Sequence, residues 1–190
     1  MLNIILCGAP GCGKGTQSSL LKKHFKLEHF STGDILRAEI KAGTEQGLIA
    51  NEFISKGMLV PDEMIIEMLM KQIYALPADV HGMILDGFPR TVNQAIELEK
   101  TLNEKNLPTN FLIDLIVEEK ELISRLIERG KISGRSDDNA ETIKKRLEVY
   151  NEITTPVNDF YKNLDKYIAV NGMGTVDEIF ERIKTVLKEK

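Results

Sequence analysis

Long apolar runs are missing from this 190-residue chain; none approaches the ~18 residues that a membrane-spanning helix needs. Cysteine is scarce. Cys7 and Cys12 alone cannot build a disulfide scaffold or a four-cysteine zinc site, and they point to a reducing compartment. There is no excess of one charge sign either. Lys plus Arg number 25 and Asp plus Glu 29, a net charge of −4. That balance offers no general footprint for nucleic acid, although a local basic pocket stays possible. The amino terminus lacks a basic region, and its apolar stretch is too short for a secretion signal, so the expected location is the cytoplasm. His24, His29 and His81 sit in no metal-ligand spacing, and no internal repeat is visible.

What is present reads as one globular domain. Hydrophobic residues make up 42% and charged residues 28%, and the length suffices for a core without staples. Apolar runs of strand length alternate with longer amphipathic stretches. Strands are predicted over residues 2–7, 28–31, 82–86, 111–117 and 167–170. Helices are predicted over 14–25, 61–76, 91–106, 120–129, 140–164 and 176–188, the long one bent or broken near Pro156. Residues 34–57 suggest two short helices, and 131–139 a polar loop. This alternation argues for an α/β fold with a parallel sheet covered on both faces.

The first predicted strand runs directly into Gly8-Ala9-Pro10-Gly11-Cys12-Gly13-Lys14-Gly15-Thr16. Strand, glycine-rich loop, lysine and helix come in the order that a phosphate-binding P-loop requires. Glycines let successive N–H groups turn inward, the helix start adds partial positive charge, and Lys14 adds a full one. Gly15 takes the place usual for Ser or Thr, and Thr16 comes next, so the usual hydroxyl ligand to Mg²⁺ is displaced. Met83-Ile84-Leu85-Asp86 ends an apolar run on a carboxylate. Such an Asp holds Mg²⁺ in P-loop proteins, and a turn or capping role would explain it equally. Arg90 follows closely, and Arg37, Arg125, Arg129, Arg135, Arg146 and Arg182 complete the arginines. Taken singly, each reads as solvated surface. A reaction between two polyanions would need several of them in one pocket.

Three segments carry a resemblance: the P-loop through Gln17, Ser31-Thr32-Gly33-Asp34-Ile35-Leu36-Arg37, and Asp86-Gly87-Phe88-Pro89-Arg90-Thr91. Together they resemble the signatures of nucleoside monophosphate kinases, and most of all the short-lid adenylate kinases. The Gly15 departure is one that this family carries. The resemblance implies a P-loop NTPase-type sheet of five parallel strands with helices on both faces and two mobile insertions. One single domain would span 1–190, with an AMP-binding insertion at 31–60 and a short lid at 130–140. Gly33, Gly57, Gly130 and Gly134 flank these segments and suit hinges or tight turns.

The resemblance also implies roles. Gly11, Cys12, Gly13, Lys14, Gly15 and Thr16 would hold the ATP phosphates, with Arg129 and the Gly174 backbone also on the ATP side. Thr32, Arg37, Met58, Val60, Gly87, Arg90 and Gln94 would form the AMP pocket. Arg135 and Arg146 would clamp phosphates, supported by Arg125. Lys14, Arg90, Arg129, Arg135 and Arg146 would be the catalytic set. Asp86, with Asp137 or Asp138, would orient Mg²⁺ through water, and no zinc is expected. Relatives acting on UMP and CMP tend to carry Ala at the Thr32 position and Asn at the Gln94 position, so this chain looks like the AMP type. The partners implied are ATP, AMP and ADP, without nucleic acid or membrane, and the chain is expected to be a monomer. A UMP/CMP kinase of the same fold is the nearest alternative. A P-loop ATPase or GTPase switch is another, but the chain lacks an Asn-Lys-x-Asp guanine-reading motif.

Overall fold

The computed structural model describes residues 1–77, 79–135 and 137–188. Five strands form one parallel sheet: β1 (Leu2–Cys7), β2 (Glu28–Ser31), β3 (Gly82–Asp86), β4 (Phe111–Ile116) and β5 (Tyr167–Asn171). Their spatial order is β2-β3-β1-β4-β5. Nine helices are described: α1 (Lys14–Phe25), α2 (Thr32–Ala42), α3 (Glu45–Ile54), α4 (Asp62–Tyr74), α5 (Val92–Glu104), α6 (Glu119–Ser133), α7 (Ala140–Val149), α8 (Thr155–Asn163) and α9 (Val176–Lys188).

The alternation of side chains along β1 explains the layering. Ile4 and Leu6 point into one core, with residues of α1, α6, α7 and α9 such as Leu21, Leu126, Ile143 and Ile183. Ile5 and Cys7 point into the other, with residues of α4, α5 and α8 such as Leu69, Leu98 and Val157. Both faces of the central strand are therefore dry, which is why it reads as a continuous apolar run rather than an alternating one.

Register then decides where the site lies. Leu6 pairs with Asp86, Cys7 with Asp114, and Ser31 with Asp86. The carboxyl ends of β1, β2 and β3 thus come level. From β1 the chain runs to β2 and then to β3 on one side, and crosses over to β4 and β5 on the other, which opens a crevice at that edge.

Two elements depart from the sequence reading. α6 continues past Arg129 to Ser133, so Gly130 is helical and the polar connection shortens. Gly130 is suited to this place because a Cβ there would fall 2.7 Å from the Asp138 carbonyl oxygen. The helix closes at Gly134, whose N–H bonds back to the Gly130 carbonyl at 3.1 Å. Gly33 likewise lies inside α2, so neither Gly33 nor Gly130 is a turn residue. Ser136, within the expected lid, lies outside the described residues.

The long helix predicted over 140–164 is broken, but not by a kink at Pro156 alone. A π-helical turn, Tyr150–Thr154, separates α7 from α8. Pro156 offers no N–H, and the wider turn closes through the Thr155 amide to the Tyr150 carbonyl. The extra residue also rephases the apolar stripe. α7 gives Ile143 and Leu147 to one core, and α8 gives Val157 and Tyr161 to the other. Among the described residues no helix is long and apolar enough to cross a membrane.

Candidate active site

A cleft of about 510 Å³ lies at the carboxyl edge of the sheet. Its floor is the loop after β1. Gly8, Gly11 and Gly13 all have positive φ (136°, 90° and 99°). At Gly8 a Cβ would also fall 2.6 Å from Cys12 Sγ, so only glycine fits. Gly13 leads into α1, which has no side-chain cap. The first-turn amides of α1 and the positive end of its dipole are therefore available to an anion. Lys14 folds back on its own loop. Its Nζ donates to the carbonyls of Gly8 at 2.6 Å and Ala9 at 3.2 Å.

The opposite wall starts at the end of β3. Asp86 is buried and faces the cleft. His29 Nε2 lies 3.6 Å from its Oδ2, a neighbour that the sequence reading treated as an isolated histidine. Gly87 has φ of +75°, and a Cβ there would meet Arg90 Nη2 at 2.9 Å and Thr32 Oγ1 at 3.1 Å. Its carbonyl collects two donors, Thr32 Oγ1 at 2.8 Å and Arg90 Nε at 2.7 Å. Phe88, fully buried, pins this loop to the core, and the Phe88–Pro89 peptide is cis. Thr91 then caps α5 by accepting from the Gln94 amide at 3.1 Å. Gln94 is thereby placed in the cleft wall beside Arg90.

Arginines close the cleft. Arg37, Arg90, Arg125, Arg129, Arg135 and Arg146 all line it. Several are paired with carboxylates that the sequence did not match to them. Arg37 pairs with Asp34. Arg129 meets both oxygens of Asp138 at 2.7 Å, through Nε and Nη2. Arg146 Nη1 reaches Asp137 and Asp138 at 2.8 Å each. Arg125 pairs with Glu121 at 2.8 Å and donates to the Gly172 carbonyl.

Among the described residues, Arg90 and Arg135 have no carboxylate within 4 Å. Burial lowers the pKa of Arg90 below its ordinary value. The Arg146 and Arg37 charges push the same way, and Asp86 opposes them. Burial, Arg37 and Arg129 do the same to Arg135. Several positive groups are thus held together without enough counter-charge, the arrangement expected where polyanionic ligands supply the missing charge.

Asp138 illustrates the cost of that arrangement. Burial opposes its charge, but hydrogen bonds and charge from Arg129, then Arg146, hold its carboxyl below the usual range. Its side chain is fully buried while Arg129 stays 33% exposed. Asp138→Asn is therefore expected to cost about 2 kcal/mol at pH 7, less than the ~3–5 kcal/mol of a fully buried broken pair. A group with a depressed folded pKa stabilises above its unfolded value and loses that stability as pH falls through the folded one. The difference between the variant and the parent should therefore close below the ordinary value of 3.8. Urea unfolding at pH 7 and in acid checks both statements.

Two residues expected on the ATP side through their backbone, Cys12 and Gly174, do not line the cleft. Cys12 is fully buried with its sulfur in the core, so it does not line the cleft, and only its backbone is left to meet a phosphate. Gly174 is not in the cleft wall either. Its loop is tied down by Arg182, which donates to the carbonyls of Asn171 and Met173. The remaining expected residues (Gly11, Gly13, Lys14, Gly15, Thr16, Thr32, Arg37, Met58, Val60, Asp86, Gly87, Arg90, Gln94, Arg129, Arg135, Arg146) all line the cleft, and Asp137 joins them while Asp138 does not.

The sequence reading missed Asp34, Asp62, Tyr150 and Thr154. Of these, Asp34, Tyr150 and Thr154 are in the wall. Only the tertiary contact with Asp114, 3.5 Å from the Tyr150 hydroxyl, marks that tyrosine out. Cys7 also lines the cleft, but burial pushes its thiol up to about 12, so it stays neutral and is no nucleophile.

The chain is also similar in sequence to known proteins. A family model described as adenylate kinase matches residues 6–166. An adenylate kinase of Parabacteroides distasonis is 55% identical over 184 residues, covering 97% of this chain and 96% of that protein. One from Bacteroides thetaiotaomicron is 52% identical over 183 residues, 96% of each chain. One from Phocaeicola vulgatus is 50% identical over 189 residues, the full length of both. With a family model spanning most of its length and relatives this similar from end to end, the chain belongs to the adenylate kinase family.

Proposed function

We propose that this protein transfers the γ-phosphoryl group of ATP to AMP, giving two ADP reversibly, with ATP on the loop after β1 and AMP against Thr32, Gly87, Arg90 and Gln94. The observation that carries this reading is the convergence of Lys14 and six arginines on one cleft with two differently built ends. One end is a glycine-rich anion loop. The other is a pocket whose Gln94 amide offers both a donor and an acceptor, the pairing that suits an adenine edge.

The reaction forms a bond between an AMP phosphate oxygen and the γ-phosphorus and breaks the bond from that phosphorus to the β-bridging oxygen. No general base is required, because a phosphate monoester is largely dianionic at pH 7, with a second pKa near ~6. Lys14 exchanges its loop carbonyls for phosphate oxygens. Arg90 and Arg37 hold the acceptor phosphate, while Arg129, Arg135 and Arg146 neutralise charge on the transferring group. Catalysis is then positioning and charge stabilisation in a site closed to water. Residues 31–60 act as the AMP-binding insertion and 130–140 as the lid.

The residues also fit the Mg²⁺ that accompanies ATP. Asp86 is a buried carboxylate facing the cleft next to α1, and a Cβ at Gly15 would lie 3.8 Å from its Oδ2. Among the described residues no three His, Cys, Asp or Glu converge to cage an ion. That suits a small hard cation that keeps its waters and is bound through one or two carboxylates and the nucleotide phosphates. Asp86, helped by Asp137, would hold it through water. When bound, Mg²⁺ neutralises charge on the β- and γ-oxygens. The same reading takes the protein to be a cytoplasmic monomer; sedimentation checks the monomer.

The deciding assay is ADP formation from Mg·ATP with AMP, CMP, UMP or GMP, beside a control without acceptor. Strong turnover with AMP alone is the expected result. Preference for CMP or UMP would overturn the reading of Thr32 and Gln94. Phosphate release with no acceptor, and no ADP gain with one, would overturn the reaction.

A further inference from the structure

The base end of the cleft is supported by a carboxylate that the reading above does not use. Asp62 opens α4. Its Oδ1 accepts from Gln94 Nε2 at 2.6 Å. Its Oδ2 accepts from Thr91 Oγ1 at 2.7 Å and Asn93 Nδ2 at 3.3 Å. From the other side, Gln94 Oε1 accepts the Arg90 backbone N–H at 2.7 Å. Gln94 is only 2% exposed, so water is not available to replace these partners freely.

A glutamine amide has two N–H donors and two carbonyl lone pairs. One of each is committed here, leaving one donor and one acceptor for a ligand. Turning the amide over would set its oxygen against the Asp62 carboxylate and its NH₂ against the Arg90 N–H. Both contacts would be repulsive in a buried place, where an unsatisfied polar group is costly. The two neighbours therefore enforce the same orientation. Asp62 is the one bearing a full charge, and the only one that acts through a side chain.

We propose that Asp62 is a positioning residue for base selection: it locks the Gln94 amide in the orientation that accepts a 6-amino purine and rejects a 6-oxo purine. This rests on the reading that Gln94 faces the base of the acceptor nucleotide. Adenine offers a donor at its 6-position and an acceptor at N1, while a 6-oxo purine offers an acceptor and a donor there. With the phosphate held by arginines, the base cannot slide to find the other pattern. The locked amide must then leave its own polar groups unpaired against the wrong base, the situation that gives strong discrimination.

The test measures kcat/KM for AMP and for IMP, the 6-oxo analogue, in four variants. D62A should lower kcat/KM for AMP about tenfold, mostly through KM, while IMP falls little, so the AMP/IMP ratio drops. D62N keeps an oxygen to accept from Gln94 and should restore most of the ratio. Asp62→Ser is too short to reach Gln94 and reads the same loss should D62A fail to fold. Q94L reports on the underlying reading. If the ratio is unchanged in D62A and Asp62→Ser, or if AMP and IMP fall together, Asp62 is merely structural and the proposal fails. If Q94L also leaves the ratio unchanged, the assignment of Gln94 to the base is what has failed.

Discussion

Lys14→Met should lower kcat by about 10³-fold or more, with the fold intact. Lys14 is the one side-chain cation on the glycine-rich loop, and among the described residues its ammonium donates to loop carbonyls and touches the Cys12 sulfur. Those bonds come from a charged donor, worth about 1.5–3 kcal/mol each where water is excluded, but Gly8 and Lys14 line the open cleft, where water can take the ammonium's place, and the methionine stem fills the same space, so the net loss should be small. In the transition state the same ammonium would face several phosphate oxygens in a site that excludes water. A charge there counts for far more than one at the surface. The loss should therefore fall on turnover and leave thermal unfolding nearly unmoved. Kinetics at saturating ATP and AMP, beside a melting curve, separate the two. Near-normal turnover would rule out the loop as the ATP phosphate site.

Arg90→Ala should be the second large effect, and its signature differs. A drop in kcat/KM for AMP of about 10³-fold or more is expected, with the KM for ATP little changed. Stability should stay level, because two opposing contributions nearly cancel. The substitution removes the charge-assisted hydrogen bond from Nε to the Gly87 carbonyl, worth about 1.5–3 kcal/mol. It also removes a desolvated guanidinium pushed by Arg146 and Arg37, which in the free protein is a source of strain. A mutant that binds AMP normally would show that this guanidinium does not hold the acceptor phosphate. A mutant that loses several kcal/mol of stability would show that Arg90 is a structural residue.

Much of this site is legible in the residues themselves. β1 and β3 are apolar runs with both faces buried, and an apolar run ending at a glycine-rich loop or at Asp86 marks both the strand and its functional end. The P-loop is legible because its constraints are local. Positive φ, close approach of backbone to side chain, and an uncapped helix start are all met within Gly8 to Thr16. Capping is local too. Ser31, Thr91 and Asn139 each precede their helices and accept an amide three residues on.

What was not legible depends on how the chain folds back on itself, whether the partner is near or far in the sequence. Single arginines on a helix look alike whether they face water or a phosphate. Arg129 and Arg146 become distinct only when Asp137 and Asp138 meet them across the turn after α6. The extension of α6 past Arg129 hides in Gly130, a poor helix former that is tolerated because the Asp138 backbone passes too close for any side chain.

The division between the two sources of information is physical. Short-range forces fix the order of strands and helices, the phosphate loop, the acid at the end of β3 and the residue types at the two ends of the cleft. Strand order, the crossing of the helical segment from one core to the other at the π turn, the pairing of arginines with carboxylates, and the Asp62–Gln94 contact emerge from packing. The Asp62–Gln94 contact and the strand pairings join residues tens of positions apart, and even the arginine pairs, 3 to 9 positions apart, depend on how the chain turns between them, because charge and hydrogen-bond geometry act over a few ångströms. No pattern of neighbours in the chain encodes which of the many polar side chains will come within that reach.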